Sequence, residues 1–162
     1  MFNHAPPEYE CPFCLVVAGV ERDGLRTVQN DVVCRAPLAT AFICAGWWPN
    51  NPGHVLIVPN AHFENLFELP PDYAAEIHSV AQQIGRAMLA SYGCEGISTR
   101  QHNGPGAYQE VWHYHLHVFP RNHDDKLYEL TSQRRTTTPD ERAPYAERLR
   151  AVLAQDDASL ML

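Results

Sequence analysis

The spacing of hydrophobic residues predicts two long helices. Between residues 71 and 91 apolar side chains recur three and four positions apart, which is the spacing of one buried helix face. A proline at the start and Gly93 after the end are typical helix boundaries. Residues 139–153 form the second predicted helix, with Thr138 and Glu141 spaced as a capping box. A short helical turn is expected at residues 15–18.

Five short β-like runs lie outside these helices. They cover residues 32–36, 39–45, 54–59, 96–101 and 113–120, and clusters of glycine, proline and asparagine separate several of them. Strands of this length, together with two or three helices, predict an α+β domain built on a five-stranded antiparallel sheet.

The last run carries three histidines that alternate with apolar residues. Because successive side chains on a strand point to opposite faces, we expect His113, His115 and His117 to share one face. Neighbouring histidines in such a row lie roughly 6.6 Å apart, too far for all three to bind one metal ion without distortion. Imidazole can act as a nucleophile, a proton donor or a metal ligand, so we expect the three to divide these roles.

The composition narrows the range of binding partners. With 162 residues, of which 45% are hydrophobic, the chain has the size of one globular domain. Its formal net charge of -7 argues against binding to nucleic acid or to an anionic membrane, since both attract clustered lysine and arginine. No apolar run approaches the roughly 18 residues of a membrane span, and no signal-peptide pattern is visible. We therefore expect a cytoplasmic protein with a small-molecule partner.

The cysteines indicate a metal site rather than a disulfide framework. The chain has five of them, an odd number. Cys11 and Cys14 have the C-x-x-C spacing that forms half of many tetrahedral zinc sites. Taken alone, the pair fits a zinc site and two buried thiols equally well.

Three motifs resemble the histidine triad (HIT) family. The first is His-Tyr-His-Leu-His-Val-Phe at residues 113–119, the second is Gly-His-Val-Leu-Ile-Val-Pro-Asn-Ala-His-Phe-Glu-Asn at 53–65, and the third is Cys-Pro-Phe-Cys at 11–14. They occur in the order that the family shows. The resemblance implies a HIT-like fold over residues 11–124, preceded by a flexible leader at 1–10. Residues 125–162 are expected to form a C-terminal extension with one helix that belongs to the same domain.

The resemblance implies a structural zinc ion. In zinc-containing members, the histidine after the Pro-x-x turn and the first triad histidine complete the ligand set, and these correspond to His62 and His113. Cys11, Cys14, His62 and His113 would then hold the metal and tie the N-terminal residues to the sheet. The alternative for His62 is an exposed residue at the start of a helix.

The resemblance also implies nucleotide chemistry. His115 would attack the α-phosphorus of a dinucleoside polyphosphate or an adenosine phosphoramidate, and water would hydrolyse the resulting nucleotidyl-histidine. His117 would contact the phosphate and assist protonation of the leaving group. His54 would extend this cluster, with an ordinary histidine beside a turn as the alternative. Asn103 and Gln109 correspond to amides that bind the substrate, with turn formation as the alternative for Asn103.

Two further expectations follow from the same resemblance. Relatives pair as homodimers, which implies a homodimer for this chain. A hydrolase of this kind needs no metal at phosphorus if imidazoles and amides carry the charge, although Mg²⁺ bound to the substrate would add shielding.

Several positions depart from the family pattern. Tyr108 and Glu110 stand where many relatives have a glycine and a hydroxyl residue, and residues 42–47 lack the acid that usually binds ribose. Glu110 could repel an anion, donate a proton or point outward. Trp47 or Trp48 could stack on a base, with packing in the core as the alternative. Arg134 and Arg135 lie beyond the matched region, where solvent exposure is expected and phosphate contact is the alternative.

Two other functions fit the same residues. A non-catalytic nucleotide sensor on this fold would bind nucleotide without turnover, in keeping with the changes at Tyr108 and Glu110. A metallohydrolase would use the alternating histidines to bind a catalytic metal. Such a site usually needs a carboxylate and an open coordination position, and Glu110 is the one acid close to the histidines in sequence.

Overall fold

The computed structural model describes residues 3–159, and the side chains up to residue 155. The helices are α1 (Pro12–Val17), α2 (Pro71–Ser91) and α3 (Pro139–Ser159). The strands are β1 (Val32–Arg35), β2 (Ala39–Ile43), β3 (Gly46–Trp47), β4 (Val55–Pro59), β5 (Gly96–Arg100), β6 (Leu116–Arg121) and β7 (Arg135–Thr136). Residues 1–2 of the predicted leader and 160–162 of the predicted extension lie outside the described residues.

A five-stranded antiparallel sheet organises the described residues. Its strand order is β1-β2-β4-β6-β5, and each neighbouring pair is antiparallel. This confirms the predicted α+β fold. A second, two-stranded sheet pairs β3 with β7, with Gly46 opposite Thr136 and Trp47 opposite Arg135. It was not predicted because strands of two residues have no readable alternation, and it connects the C-terminal region to the loop after β2.

Helices cover both faces of the sheet. On one face, Ile77, Ile84 and Met88 of α2 pack with inward-facing strand residues such as Ile57 and Val118. On the other face, Phe13 and Val16 of α1 pack with the intervening strand residues, including Phe42, Leu56 and Val58. Because both faces are covered, every residue of β2 and β4 is buried. His117 and Phe119 of β6 alternate with the α2-facing Leu116 and Val118, so they share the face on which α1 lies.

The strand that carries the histidines begins later than the sequence pattern predicts. It begins at Leu116, so His113 and His115 precede it. The backbone N–H of Tyr114 donates to the carbonyl of Phe63 at 2.6 Å, and that of His113 donates to the carbonyl of Val111 at 2.8 Å. These contacts take the backbone out of the sheet before the strand starts. The predicted start of the strand at residue 113 was therefore wrong, although His113 and His115 both lie against the ring of Phe13 of α1 and the His115 ring lies 5.1 Å from that of His117.

The C-terminal helix is part of the same packed unit. Ala146 and Leu149 of α3 belong to the core that α2 forms with the sheet. The predicted capping box is present, since Thr138 Oγ1 accepts from the Glu141 N–H at 3.3 Å and Glu141 Oε2 accepts from the Thr138 N–H at 2.8 Å. No helix within the described residues combines the length and the apolar composition needed to cross a membrane.

Candidate functional site

Two cysteines and two histidines meet where α1 approaches the sheet. The nearest sulfur and nitrogen atoms of Cys11, Cys14, His62 and His113 all lie within 4.8 Å of one another. Cys11 Sγ is 3.3 Å from His113 Nδ1, and Cys14 Sγ is 3.3 Å from His62 Nδ1. Zinc bonds of about 2.0–2.3 Å in a tetrahedron put the ligand atoms roughly 3.3–3.8 Å apart. The cluster therefore has the size and the donor set of a tetrahedral zinc site.

The ring orientation of His113 suits a metal ligand. Its Nε2 lies 3.0 Å from the carbonyl oxygen of Pro59, which can only accept. The ring proton therefore sits on Nε2, and the lone pair of Nδ1 points toward the two cysteines. Cys11 immediately precedes α1 and Cys14 lies in its first turn, which brings the two thiols side by side.

A second cluster joins His115, His117 and His54. His115 Nδ1 lies 2.8 Å from the carbonyl oxygen of His113, so Nδ1 carries the proton and Nε2 keeps its lone pair. The rings of His115 and His117 are 5.1 Å apart. His117 Nδ1 lies 3.3 Å from His54 Nε2, and the two rings stack at 5.4 Å. The three imidazoles thus form a continuous polar row.

Burial keeps these imidazoles neutral. His115, His117 and His54 are 7%, 9% and 0% exposed. Loss of hydration lowers the pKa of His115 to about 4 and that of His54 to about 3, and it lowers the pKa of His117 well below 6.5. The nearby cations of Arg100 and Arg134 act in the same direction on His54. A neutral imidazole has the lone pair that nucleophilic attack requires.

A cavity of about 900 Å³ opens beside this row. Its volume is in the range of small-molecule sites, roughly 300–1,000 Å³. His115 and His117 line it, whereas the fully buried His54 lies behind His117. The remaining lining includes aromatic, cationic and polar side chains, among them Trp48, Arg100, His102, Tyr108, Glu110 and Arg134.

The two predicted amide residues bind backbone groups. Gln109 Nε2 donates to the Glu64 carbonyl at 2.6 Å, and its Oε1 accepts from the Gly104 N–H at 2.8 Å. Asn103 Oδ1 accepts from the Leu66 N–H at 2.7 Å. Both side chains brace the loop that precedes the histidines. Their contact with substrate stays a prediction.

The two tryptophans have different surroundings. Trp47 packs edge-on against Tyr145 of α3 at 5.0 Å and belongs to the core. Trp48 lines the cavity and lies 5.6 Å from the His54 ring and 5.4 Å from the Phe119 ring. Of the two, Trp48 is therefore the one placed to contact a ligand.

Gly53 allows the tight approach of α3 behind His54. Its φ is +77°, and a Cβ at this position would lie 3.0 Å from the ring of Tyr92 and would collide with the ring of Tyr145. A larger residue would therefore push α2 and α3 away from the strand that His54 precedes.

The residues that depart from the family pattern are at the cavity. Glu110 Oε2 accepts from Arg134 Nη2 at 2.8 Å, so Arg134 lines the cavity and is not free in solvent. Tyr108 has the left-handed φ of 62° that favours glycine, and its side chain is 84% exposed. The neighbouring Arg135 instead pairs with Glu141 at the surface.

Three residues that line the cavity were not predicted from the sequence to do so: Arg100, His102 and Arg134. Arg100 lies opposite His117 in the sheet register, and the rings of His102 and His117 are 6.1 Å apart. Knowledge of the β5–β6 register would have identified both. Arg134 reaches the cavity through the β3–β7 pairing, for which the sequence carries no signal.

The sequence of this chain is similar to those of known proteins. The family model described as "HIT domain" matches residues 26–124. An uncharacterized HIT-like protein of Mycobacterium tuberculosis is 32% identical over 92% of this chain and 96% of its own length. An adenylylsulfatase of Arabidopsis thaliana is 32% identical over 78% of this chain and 59% of its own length.

A solved structure extends the likeness to the whole fold. The Zn-bound histidine triad family protein of Mycobacterium smegmatis superposes with a TM-score of 0.74 at 30% identity, covering 93% of this chain and 97% of that one. With the family model matching more than half of its residues, and with relatives similar over nearly its full length, this chain belongs to the histidine triad family.

Proposed function

We propose that this chain hydrolyses or transfers a nucleotidyl group by way of a covalent intermediate on His115. The observation that carries the proposal is the hydrogen bond from His115 Nδ1 to the His113 carbonyl, because it leaves a neutral imidazole with Nε2 unprotonated at the wall of a nucleotide-sized cavity. The name of the Arabidopsis relative supports a nucleotide substrate.

The reaction proceeds in two displacements at phosphorus. In the first, the Nε2 lone pair of His115 forms a bond to the α-phosphorus, and the bond from phosphorus to the leaving group breaks with its electron pair on the leaving group. In the second, water attacks the same phosphorus and the P–N bond breaks, returning the electron pair to Nε2. In this proposal His117, which lies 3.3 Å from His54, donates a proton to the leaving group in the first displacement and takes one from water in the second.

Zinc fits the cluster of Cys11, Cys14, His62 and His113, and we assign it a structural role. The four protein donors fill a tetrahedral site, so the metal would offer no open position for catalysis. Zinc bound there ties the N-terminal residues to the segment that carries His113. The backbone carbonyl of His113 orients the His115 ring, so zinc bound to His113 would also hold the nucleophile in position.

A non-catalytic nucleotide sensor is the second candidate. The carboxylate of Glu110 lines the cavity, where it opposes an anionic substrate, and this observation favours binding without turnover. The ion pair of Glu110 with Arg134 offsets that charge, and for this reason we favour an enzyme over a sensor. The cytoplasmic location, the homodimer and a supporting Mg²⁺ remain predictions.

The test compares wild type with His115→Ala on diadenosine polyphosphates, adenylyl sulfate and adenosine phosphoramidate. AMP release and the intact mass of the protein are measured together. We expect turnover and an added AMP mass for wild type, and neither for the variant. His78→Ala is the matched control because His78 is exposed on α2, remote in sequence from the motifs. Tight nucleotide binding without AMP release by wild type would establish the sensor instead.

A further inference from the structure

We infer that Arg100 and Arg134 form a subsite for an anionic leaving group, a sulfate or a phosphate, beside His115 and His117. The inference rests on the proposed function and deepens it. It names the substrate class as nucleotides joined to an oxyanion rather than to an amine.

The first observation is the charge of the cavity. The whole chain has a formal net charge of -7. The described lining nevertheless contains three arginines, Arg26, Arg100 and Arg134, and one carboxylate, Glu110, which gives this wall a net charge of +2 with neutral histidines. Positive charge concentrated in a concave site of an acidic protein attracts anions of small size.

The second observation is the environment of Arg100. Its guanidinium carbon lies 5.0 Å from the Trp48 ring centre and 4.9 Å from that of Phe119. The described residues include no ion-pair partner for it, and its Nε is buried without a hydrogen-bond partner among them. The Phe119 ring also stacks on those of His117 and His54 at 5.5 and 4.5 Å. Among the side chains that the structure describes, Arg100 is thus a cation without a counter-ion, next to the row formed by His115, His117 and His54.

The third observation places Arg134 against the same aromatic ring. Its guanidinium carbon lies 5.7 Å from the Trp48 centroid. Gly46 makes this possible, because a Cβ there would lie 2.8 Å from Arg134 Nε. Two guanidinium groups on one indole repel each other, and Glu110 neutralises one of them. Arg100, Arg134 and Glu110 together carry a net charge of +1, which a bound anion would balance.

This arrangement distinguishes leaving groups by chemistry. When the bond to phosphorus breaks, a sulfate or phosphate leaves with its negative charge, and guanidinium groups stabilise that charge through paired hydrogen bonds. An amine must instead take up a proton as it leaves and departs as a neutral molecule. The two arginines therefore have no negative charge to stabilise on that product.

The experiment measures kcat/KM for adenylyl sulfate, diadenosine triphosphate and adenosine phosphoramidate. We expect Arg100→Gln, and Arg134→Gln compared within a Glu110→Gln background that leaves no unpaired carboxylate in the cavity, to lower kcat/KM for the two oxyanion substrates by about tenfold to a hundredfold. Both changes should leave kcat/KM for the phosphoramidate within about threefold. Arg100→Lys should recover part of the loss, because it restores the charge without the planar fork. Arg135→Gln is the matched control, since its side chain pairs with Glu141 outside the cavity.

Equal losses on all three substrates, or no loss, would overturn the subsite. Retained phosphoramidate turnover shows that each variant is folded. A binding measurement separates this inference from the proposed function: calorimetry with ADP and AMP should show tighter binding of ADP by wild type and no such preference in Arg100→Gln. Equal binding of ADP and AMP by wild type refutes the subsite, whether or not any substrate is turned over. A preference for ADP without turnover of any substrate would support the subsite and contradict the proposed enzymatic function.

Discussion

The guanidinium of Arg142 in α3 forms a two-pronged ion pair with the carboxylate of Asp31, 111 positions earlier in the chain. Nε lies 2.8 Å from Oδ1 and Nη2 lies 2.9 Å from Oδ2, and the side chains are 0% and 1% exposed. Arg142 also donates to the carbonyls of Arg26 and Thr137. Because Arg26 and Thr27 line the cavity, this pair attaches the C-terminal helix to one cavity wall.

Asp31→Asn should destabilise the fold strongly. The substitution leaves a buried guanidinium without its counter-charge, which costs about 3–5 kcal/mol of unfolding free energy. Urea unfolding followed by circular dichroism measures the loss. Glu10→Gln, which removes the partner of Arg22 in an exposed pair, should change little. Similar values for the two variants would contradict a stabilising role for the buried pair.

The zinc content should depend on the four ligand residues and not on the nucleophile His115. We expect one zinc ion per chain by elemental analysis, its loss in Cys11→Ser and in His62→Asn, and its retention in His115→Ala. Chelation should lower the melting temperature, because the cluster links the N-terminal residues to those near His113. Metal that persists in a Cys11→Ser, Cys14→Ser double variant would rule out this site.

Stability should fall as the pH is lowered from neutrality, partly because of His54. Burial lowers its pKa from 6.5 to about 3 in the folded protein. Between these values the unfolded chain binds a proton that the folded chain does not, so the unfolding free energy decreases toward acid by about 1.4 kcal/mol per pH unit. Urea unfolding near pH 6 and pH 5 should show a slope smaller by that amount in His54→Asn. The exposed variant His78→Asn should keep the full slope, and an unchanged slope in His54→Asn would contradict the assignment.

Substitutions at the two adjacent tryptophans should have different effects, with stability reduced at Trp47 and ligand affinity reduced at Trp48. Trp47→Ala removes a core side chain and should cost about 3–5 kcal/mol of unfolding free energy. Trp48→Leu keeps an apolar side chain but loses the aromatic face, and we expect AMP affinity to fall by about tenfold. Calorimetry and urea unfolding of both variants test this. Unchanged AMP affinity in Trp48→Leu would remove the stacking role.

Tyr108→Gly should stabilise the loop before the histidines. Tyr108 has φ 62° and ψ 34°, a conformation that costs a side-chain-bearing residue about 1–2 kcal/mol. Glycine avoids this cost but gains entropy in the unfolded chain, so a net increase of about 0.5–1 kcal/mol is expected. Urea unfolding measures it, and Tyr108→Ala, which retains the strain, should give no such increase.

Local features of the sequence determined the elements that depend on local interactions. The predicted bounds of α2 agree with the structure, because a repeating apolar face and boundary residues act within a few turns. The capping residues of α3 were predicted for the same reason. The motif residues Cys11, Cys14, His62 and His113 were identified from the sequence, and the fold brings their donor atoms together.

Only the tertiary structure decided what depends on distant contacts. The strand after His115 starts late because Phe63 takes the N–H of Tyr114, a hydrogen bond that no spacing in residues 113–120 reveals. Arg100 lies beside His117 because of the β5–β6 register, and Arg134 reaches the cavity because the two-residue strands β3 and β7 pair. Helix and capping signals act between residues that are close in the sequence. Strand pairing and buried ion pairs join residues that are far apart in the sequence, so the energies of these contacts depend on the folded arrangement and not on the local pattern.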